Sequence, residues 1–211
     1  MFKQFRNLEP GEFIVIGGDC SAGGIDRSCC QFISKTKLDV PLVYHTESMA
    51  TTMTNDIYPV LNNIFDFTGV KPIIAYERNN GGSFEMERLA TLNRDGKFDI
   101  FKMPTMGRED APEAVRYGWD TNTATRSPML SQLKDAIDKR LLGIYDHETV
   151  KELYSFIVAK TSTSWKAQAE KGAHDDLVIS LGIAWQLYQM CEAPTPQTSK
   201  VATYRRNYAV R

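Results

Sequence analysis

The order of apolar runs and helical periodicities predicts an α/β fold built on a mixed sheet. Three strand-type runs come first, at 12–19, 28–35 and 40–46, separated by short segments rich in Gly, Asp and Lys. A strand–helix–strand–helix alternation follows, and such alternation calls for parallel strands. The 211 residues, 42% of them hydrophobic, suffice for one domain with a buried core.

The first three strands are expected as an antiparallel meander, because their connections are too short for crossovers. Gly17-Gly18 and Gly23-Gly24 bracket Asp19 and let the backbone turn tightly there. Residues 51–67 carry Met53, Ile57, Val60, Leu61, Ile64 and Phe65 at helical spacing, with Gly69 as a stop signal. This helix is expected to cover one sheet face. A strand over 72–77, a Gly81-Gly82 turn, a helix over 83–93 and a short strand near 98–102 complete the alternation. Residues 104–125 lack apolar periodicity, which predicts a long surface excursion, and long loops in compact domains often carry function. Helices follow at 126–142, 146–159 and 174–190, the last with Leu177, Leu181, Ile183, Ala184 and Leu187 facing inward. Residues 1–191 read as the domain, and 192–211, with its Ala-Pro-Thr-Pro-Gln-Thr-Ser-Lys run, as a basic mobile tail.

Composition removes several functional classes. No apolar run approaches the roughly 18 residues that span a bilayer, and no signal peptide opens the chain, so no membrane partner is expected and the setting is cytosolic. Cys20, Cys29, Cys30 and Cys191 show neither CxxC spacing nor a secreted disulfide pattern. Cys20 adjoins Asp19, but a cysteine nucleophile needs a partnered base and the sequence offers none. The last twenty residues hold Lys200, Arg205, Arg206 and Arg211 against Glu192, which leaves the rest at −4 against −1 for the whole chain. The body is therefore no basic DNA clamp, and nucleic-acid binding would rely on local basic patches and bound cations. No P-loop motif, dinucleotide fingerprint or zinc-deaminase signature occurs, so no nucleotide cofactor is expected.

The chemistry-bearing signal is acidic. Asp19 closes the apolar run 13–19, Glu77 closes the run 72–77, and Asp175-Asp176 opens the last helix. Hard divalent cations such as Mg²⁺ and Mn²⁺ prefer carboxylate oxygens, and a pair of ions about 4 Å apart clamps an in-line attack on a phosphodiester. Each acid alone has a plainer reading, as a helix cap or a solvated turn residue. Their occurrence in one fold-consistent order points to a metal-dependent nuclease. His174 is placed to hydrogen-bond a carboxylate, ligate metal or shuttle a proton, or simply to pack. His45 and His147 have no evident acidic or cysteine partner. Arg108, Arg116 and Arg126 are the candidate phosphate contacts, whereas Lys134, Lys139, Arg140, Lys166 and Lys171 fit a solvated helix face equally well. Tyr117 and Trp119 flank Gly118, where exposed rings would stack on bases or anchor the loop.

Taken in order, the segments Gly-Gly-Asp19-Cys-Ser-Ala-Gly-Gly-Ile-Asp26-Arg-Ser, Tyr76-Glu77-Arg78-Asn79-Asn80-Gly81-Gly82 and Gly172-Ala-His174-Asp175-Asp176-Leu resemble the nuclease domain of the large terminase subunit of tailed bacteriophages. Tyr117-Gly118-Trp119 with Thr121 and Arg126 is similar to that family's G-x-x-T...R segment, and Glu152-Leu153-Tyr154-Ser155-Phe156 to its E-L-x-x-F helix. The resemblance spans about residues 12–190 and implies an RNase H-like fold, a mixed sheet flanked by helices on both faces. It further implies a nuclease that cuts double-stranded concatemeric DNA with Mg²⁺ or Mn²⁺, two ions in all, during genome packaging in the host cytoplasm. By motif, Asp19, Glu77, Asp175 and Asp176 become metal ligands and catalytic residues, with Asp26 and His174 as candidate supporting groups. The small terminase subunit, an ATPase motor domain and the portal are the implied partners, this chain being an excised domain or a separate gene product. The alternatives are another RNase H-like nuclease, such as a junction resolvase, and a non-catalytic DNA-binding or assembly module whose acids are structural.

Overall fold

The structure, a computed structural model, describes residues 1–21, 23, 27–103, 116–160, 165–169 and 174–193. Asp26, Arg108 and the tail from 194 onward lie outside the described residues.

The main sheet is built from β1 (Phe2–Gln4), β2 (Ile14–Asp19), β3 (Ser28–Ser34), β4 (Asp39–Thr46), β5 (Ile73–Tyr76), β6 (Asp99–Ile100) and β7 (Gly143–Ile144). It runs β1-β4-β3-β2-β5-β6, with β7 also paired to β4. The expected meander is present: β2, β3 and β4 pair antiparallel, and β1 adds antiparallel to β4. The later strands join parallel, β5 on β2, β6 on β5 and β7 on β4. Together these pairings make the mixed RNase H-like sheet.

Helices cover both faces. On one face, α1 (Ala50–Thr68) and α2 (Gly82–Leu92) pack on Ile14, Ile16, Phe32, Ile74 and Tyr76. On the other, α3 (Thr123–Asp138) and α5 (Asp176–Met190) pack on Phe13, Val15, Ile33, Val43 and Ala75. Strand β2 is buried along its whole length because both its faces are covered. Helix α5 is apolar nearly all round, with every residue from Leu177 to Leu187 buried, as a helix wedged into a core requires. Gly69 ends α1 as expected, in the left-handed region at φ 74°, its N–H donating to the Phe65 carbonyl.

Three sequence expectations change. Strands β1 and β7 hold only three and two residues, too few for a period-two pattern to register. The helix expected over 146–159 stops as α4 (His147–Ser155), and the chain continues as a hairpin of β8 (Phe156–Lys160) and β9 (Trp165–Ala169). The Phe156-Ile157-Val158 run favours strand, and α4 yields to it there. Gly17 and Gly18 lie inside β2 rather than in a turn, so their role is close packing.

Candidate active site

The pleat decides where the strand-end acids point. Along β2, Ile14 and Ile16 enter the core under α1 and α2, whereas Phe13 and Val15 enter the core under α5. With a period of two, Asp19 falls on the α5 side. Along β5, Ile74 and Tyr76 face α1 and α2 and Ala75 faces α5, so Glu77 falls on the α5 side as well. The parallel register pairs Gly18 with Tyr76, which brings Asp19 and Glu77 abreast one step later, and the Glu77 N–H donates to the Gly18 carbonyl at 2.7 Å. Both acids are buried, at 8% and 7% exposure, and their carboxyls share a hydrogen bond.

Glycine brings the third element in. A Cβ on Gly17 would lie 2.2 Å from the Ser180 carbonyl oxygen and 2.3 Å from the Ala184 nitrogen, so only a glycine lets α5 rest directly on the β2 backbone. The N-terminal end of α5 then carries Asp175 and Asp176 to the strand ends. Burial holds the Asp19 carboxyl well above the usual carboxylate range; the charge of Glu77, the hydrogen bond to it and the charges of Asp176 and Asp175 push the same way. The charges of Glu77, Asp176 and Asp175 thus all act on Asp19, from the ends of β2 and β5 and the start of α5.

The two helix-start acids divide their work. Asp175 is the N-cap residue of α5, yet its side chain makes no capping hydrogen bond. It instead pairs with Arg126 at 2.7 Å. Arg126 reaches it from the first turns of α3, whose start is fixed by an Asn122–Thr125 capping box. His174 Nδ1 stands 3.7 Å from an Asp176 oxygen. The capping role passes to Glu152 of α4, whose Oε2 accepts from the Leu177 N–H at 2.9 Å. Burial pushes the Glu152 carboxyl up to about 7, with the Asp176 and Asp175 charges adding to the rise and the Leu177 and Val178 N–H groups opposing it. The sequence offers Glu152 only as part of a motif, with no role.

The excursion after β6 returns to buttress the same edge. Trp119 bridges Glu77, its N–H donating to the Tyr76 carbonyl at 2.8 Å while its own carbonyl accepts from the Arg78 N–H at 2.9 Å. At 4% exposure its ring anchors the loop and is not free to stack on bases. Gly118, at φ 93°, sits where a Cβ would meet the Tyr76 carbonyl at 2.7 Å, and a Cβ on Gly82 would meet the Glu77 carbonyl at 1.8 Å. Arg78, which the sequence offers only within a motif and with no role, joins Asp120 at 2.7 Å, and Arg116 stands 3.6 Å from the same carboxylate. Of the candidate phosphate contacts, Arg126 is therefore already engaged by Asp175, and Arg116 is the more exposed. His45 does have an acidic partner, Glu148 at 3.0 Å. Burial raises the Cys20 thiol far above its usual range, which suits packing and not nucleophilic attack.

The donor set is all hard oxygen, rich in negative charge and backed by one arginine, which fits a divalent cation such as Mg²⁺ or Mn²⁺. Among the described residues, however, no three His, Cys, Asp or Glu side chains stand as a ready cage for one ion. The Asp19–Glu77 hydrogen bond and the Arg126–Asp175 pair hold carboxylate oxygens that a cation would claim.

No protein-family model matches the chain. Its fold is that of large terminase nuclease domains. The nuclease from thermophilic phage G20c with bound magnesium superposes at a TM-score of 0.62 with 17% identity, covering 90% of this chain and 86% of that one. The Thermus phage P74-26 nuclease domain gives 0.58 at 16% identity, covering 92% and 87%. The manganese-soaked human cytomegalovirus terminase nuclease domain gives 0.53 at 11% identity, covering 82% of each chain.

Proposed function

We propose that this chain is a terminase nuclease domain, a divalent-metal-dependent endonuclease that cuts double-stranded concatemeric DNA during phage genome packaging in the host cytoplasm. The observation that carries the reading is the convergence of Asp19, Glu77 and Asp176, with Asp175 beside them, at the ends of β2, β5 and α5. Support comes from the fold shared with nuclease domains solved with magnesium, cobalt, zinc or manganese. The domain would comprise residues 1–191, with 192–211 a basic tail, and the ATPase motor, small subunit and portal as its working partners.

In this reading Asp19, Glu77 and Asp176, assisted by Asp175, would be the side chains that hold divalent cations. When bound, the ions supply an activated water and charge stabilisation at the leaving 3′ oxygen. The protein's own part is electrostatic and steric. Asp19 and Glu77 lie in a buried crook that strengthens their field. Arg126 offsets the Asp175 charge and fixes its direction. The Trp119 segment closes the far side of Glu77, so its carboxylate is held by rigid backbone. Arg116, exposed beside this segment, is the residue best placed to meet a backbone phosphate.

The test is plasmid cleavage with Mn²⁺ by the parent and by folded Asp19→Ala, Glu77→Ala and Asp176→Ala variants. All three should lose cutting, and chelation should abolish it in the parent. Full activity in any variant removes that residue from the site, and a parent that retards DNA without cutting it makes the chain a binding module. Preference for four-way junctions over linear duplex would move it to the resolvase class.

A further inference from the structure

We infer that Glu152 is a positioning residue, which caps α5 in place of Asp175 and so lets the Asp175 carboxylate turn to Arg126 and the carboxylate cluster instead of to the helix N–H groups. The inference rests on reading that cluster as a divalent-metal site. Aspartate is among the best N-caps because its short carboxylate folds back onto the N–H groups of the first helical turn. Asp175 occupies the N-cap position of α5 and does not do this. The N–H groups it would take are already satisfied from another helix: Glu152 accepts from Leu177 at 2.9 Å and is also bonded by Val178. A buried helix start must find such partners, and a carboxylate from α4 meets that need without drawing on the acids of α5.

Glu152 is itself held firmly. Helix α4 is capped by Asp146, whose Oδ2 accepts from the Thr149 N–H at 2.9 Å and from the Thr149 hydroxyl at 2.8 Å. Gln31, in the middle of β3, donates to that same hydroxyl at 2.8 Å and ties α4 to the sheet. Lys3 of β1 stands 3.1 Å from Asp146. The acids therefore act in series: Asp146 caps α4, α4 presents Glu152, and Glu152 caps α5. The α5 acids are then left to Arg126 on one side and to the ends of β2 and β5 on the other. Without the Glu152 acceptor, Asp175, as the N-cap residue, is placed to serve the bare N–H groups. Turning to do so would break its 2.7 Å pair with Arg126 and draw the Asp175–Asp176 segment away from Asp19.

The test compares the full chain with Glu152→Ala, Glu152→Asp and Glu152→Gln. Mn²⁺ affinity is read by calorimetry and Leu177 amide exchange by NMR. Ala removes the acceptor, Asp keeps the charge but withdraws it by one methylene, and Gln keeps a neutral oxygen in place. Ala and Asp are expected to speed Leu177 exchange and weaken Mn²⁺ binding about 10-fold or more, and Gln to stay within about 3-fold of the parent. Should Ala prevent folding, the Asp and Gln pair carries the comparison. Faster Leu177 exchange with unchanged Mn²⁺ affinity overturns the inference, since the cap would then be purely structural. So does a Gln variant as weak as Ala, which would make charge the operative property. A parent that binds no Mn²⁺ removes the metal reading itself, whereas a parent that binds and an Ala variant that binds equally well removes only the role of Glu152.

Discussion

Replacing Gly17 by alanine tests whether close packing of α5 on β2 places the acids. The new Cβ would sit 2.2 Å from the Ser180 carbonyl oxygen and 2.3 Å from the Ala184 nitrogen, both backbone atoms of a buried helix that cannot swing aside. Ordinary contact needs more than 1 Å of extra room, so α5 must lift or slide by about that distance. Overpacking of this kind costs about 1–3 kcal/mol, a fall of roughly 2–12 °C in melting temperature for a chain of this size. The functional loss should be larger. Asp175 and Asp176 ride on α5, and a displacement of about 1 Å at a catalytic group costs on the order of 100-fold in rate. Gly11→Ala is the control: its φ of 85° makes alanine strained, yet nothing lies within 4 Å of the added Cβ. It should lower the melting temperature modestly and leave Mn²⁺-dependent plasmid cleavage at the parental rate. Thermal melts and initial cleavage rates on both variants decide the matter, and a Gly17→Ala protein that melts and cuts like the parent refutes the packing argument.

Three further outcomes are expected. Mn²⁺ at 100 times its dissociation constant should add about 2.7 kcal/mol, roughly 5–10 °C in a melting curve, and Asp19→Ala should lose that response. Without divalent cations, Glu152 makes stability pH-dependent: its folded pKa of about 7 lies above the unfolded value, so its contribution is full below about pH 4.5 and is lost as pH rises through 7. Full linkage is about 3 kcal/mol, and partial exposure reduces it to about 1–2; Glu152→Gln should flatten the urea-derived stability profile between pH 5 and 8, and parallel profiles would count against the shift. Arg6 forks onto both Asp39 oxygens at 2.6 Å and onto Glu12 at 2.9 and 3.0 Å, with both acids buried. Arg6→Ala strands two buried charges and should cost about 3–5 kcal/mol in chemical denaturation at pH 7.

What the sequence made legible was what repeats or what terminates. Strand-type apolar runs marked β2, β3 and β4, and the helical spacing of Met53, Ile57, Leu61 and Ile64 marked α1, with Gly69 stopping it at its left-handed position. Asp19 and Glu77 stood out because each ends an apolar run. That they face the same side follows from strand register, which no local pattern encodes. Partners distant in sequence were hidden for the same reason. Glu152 caps a helix that begins 24 residues later, and the Arg126–Asp175 pair joins residues 49 apart. Glu152 looks like an ordinary solvated side chain until the fold is known, and Arg126 and Asp175, though each stood out in the sequence, give no sign there that they pair. The overrun of α4 into 156–160 had a different cause: amphipathic spacing continued where β-branched and aromatic composition had already changed the outcome.

The glycines here carry as much site information as the acids. Like charges gathered in a buried crook repel, and that repulsion adds to burial in raising the Asp19 carboxyl. Beyond the Asp19–Glu77 hydrogen bond, nothing in the electrostatics of the four carboxylates draws them together, so the backbone must hold them. It does so at three places where a side chain would collide with backbone: Gly17 under α5, Gly82 against Glu77, and Gly118 against Tyr76. Each removes a Cβ between two elements that carry or flank an acid, and the burial of Leu177 to Leu187 and of Trp119 supplies the free energy that holds those elements in contact. Packing thus works against charge at this edge of the sheet. A cation, which turns the repulsion into shared attraction, is the ligand that such a balance favours.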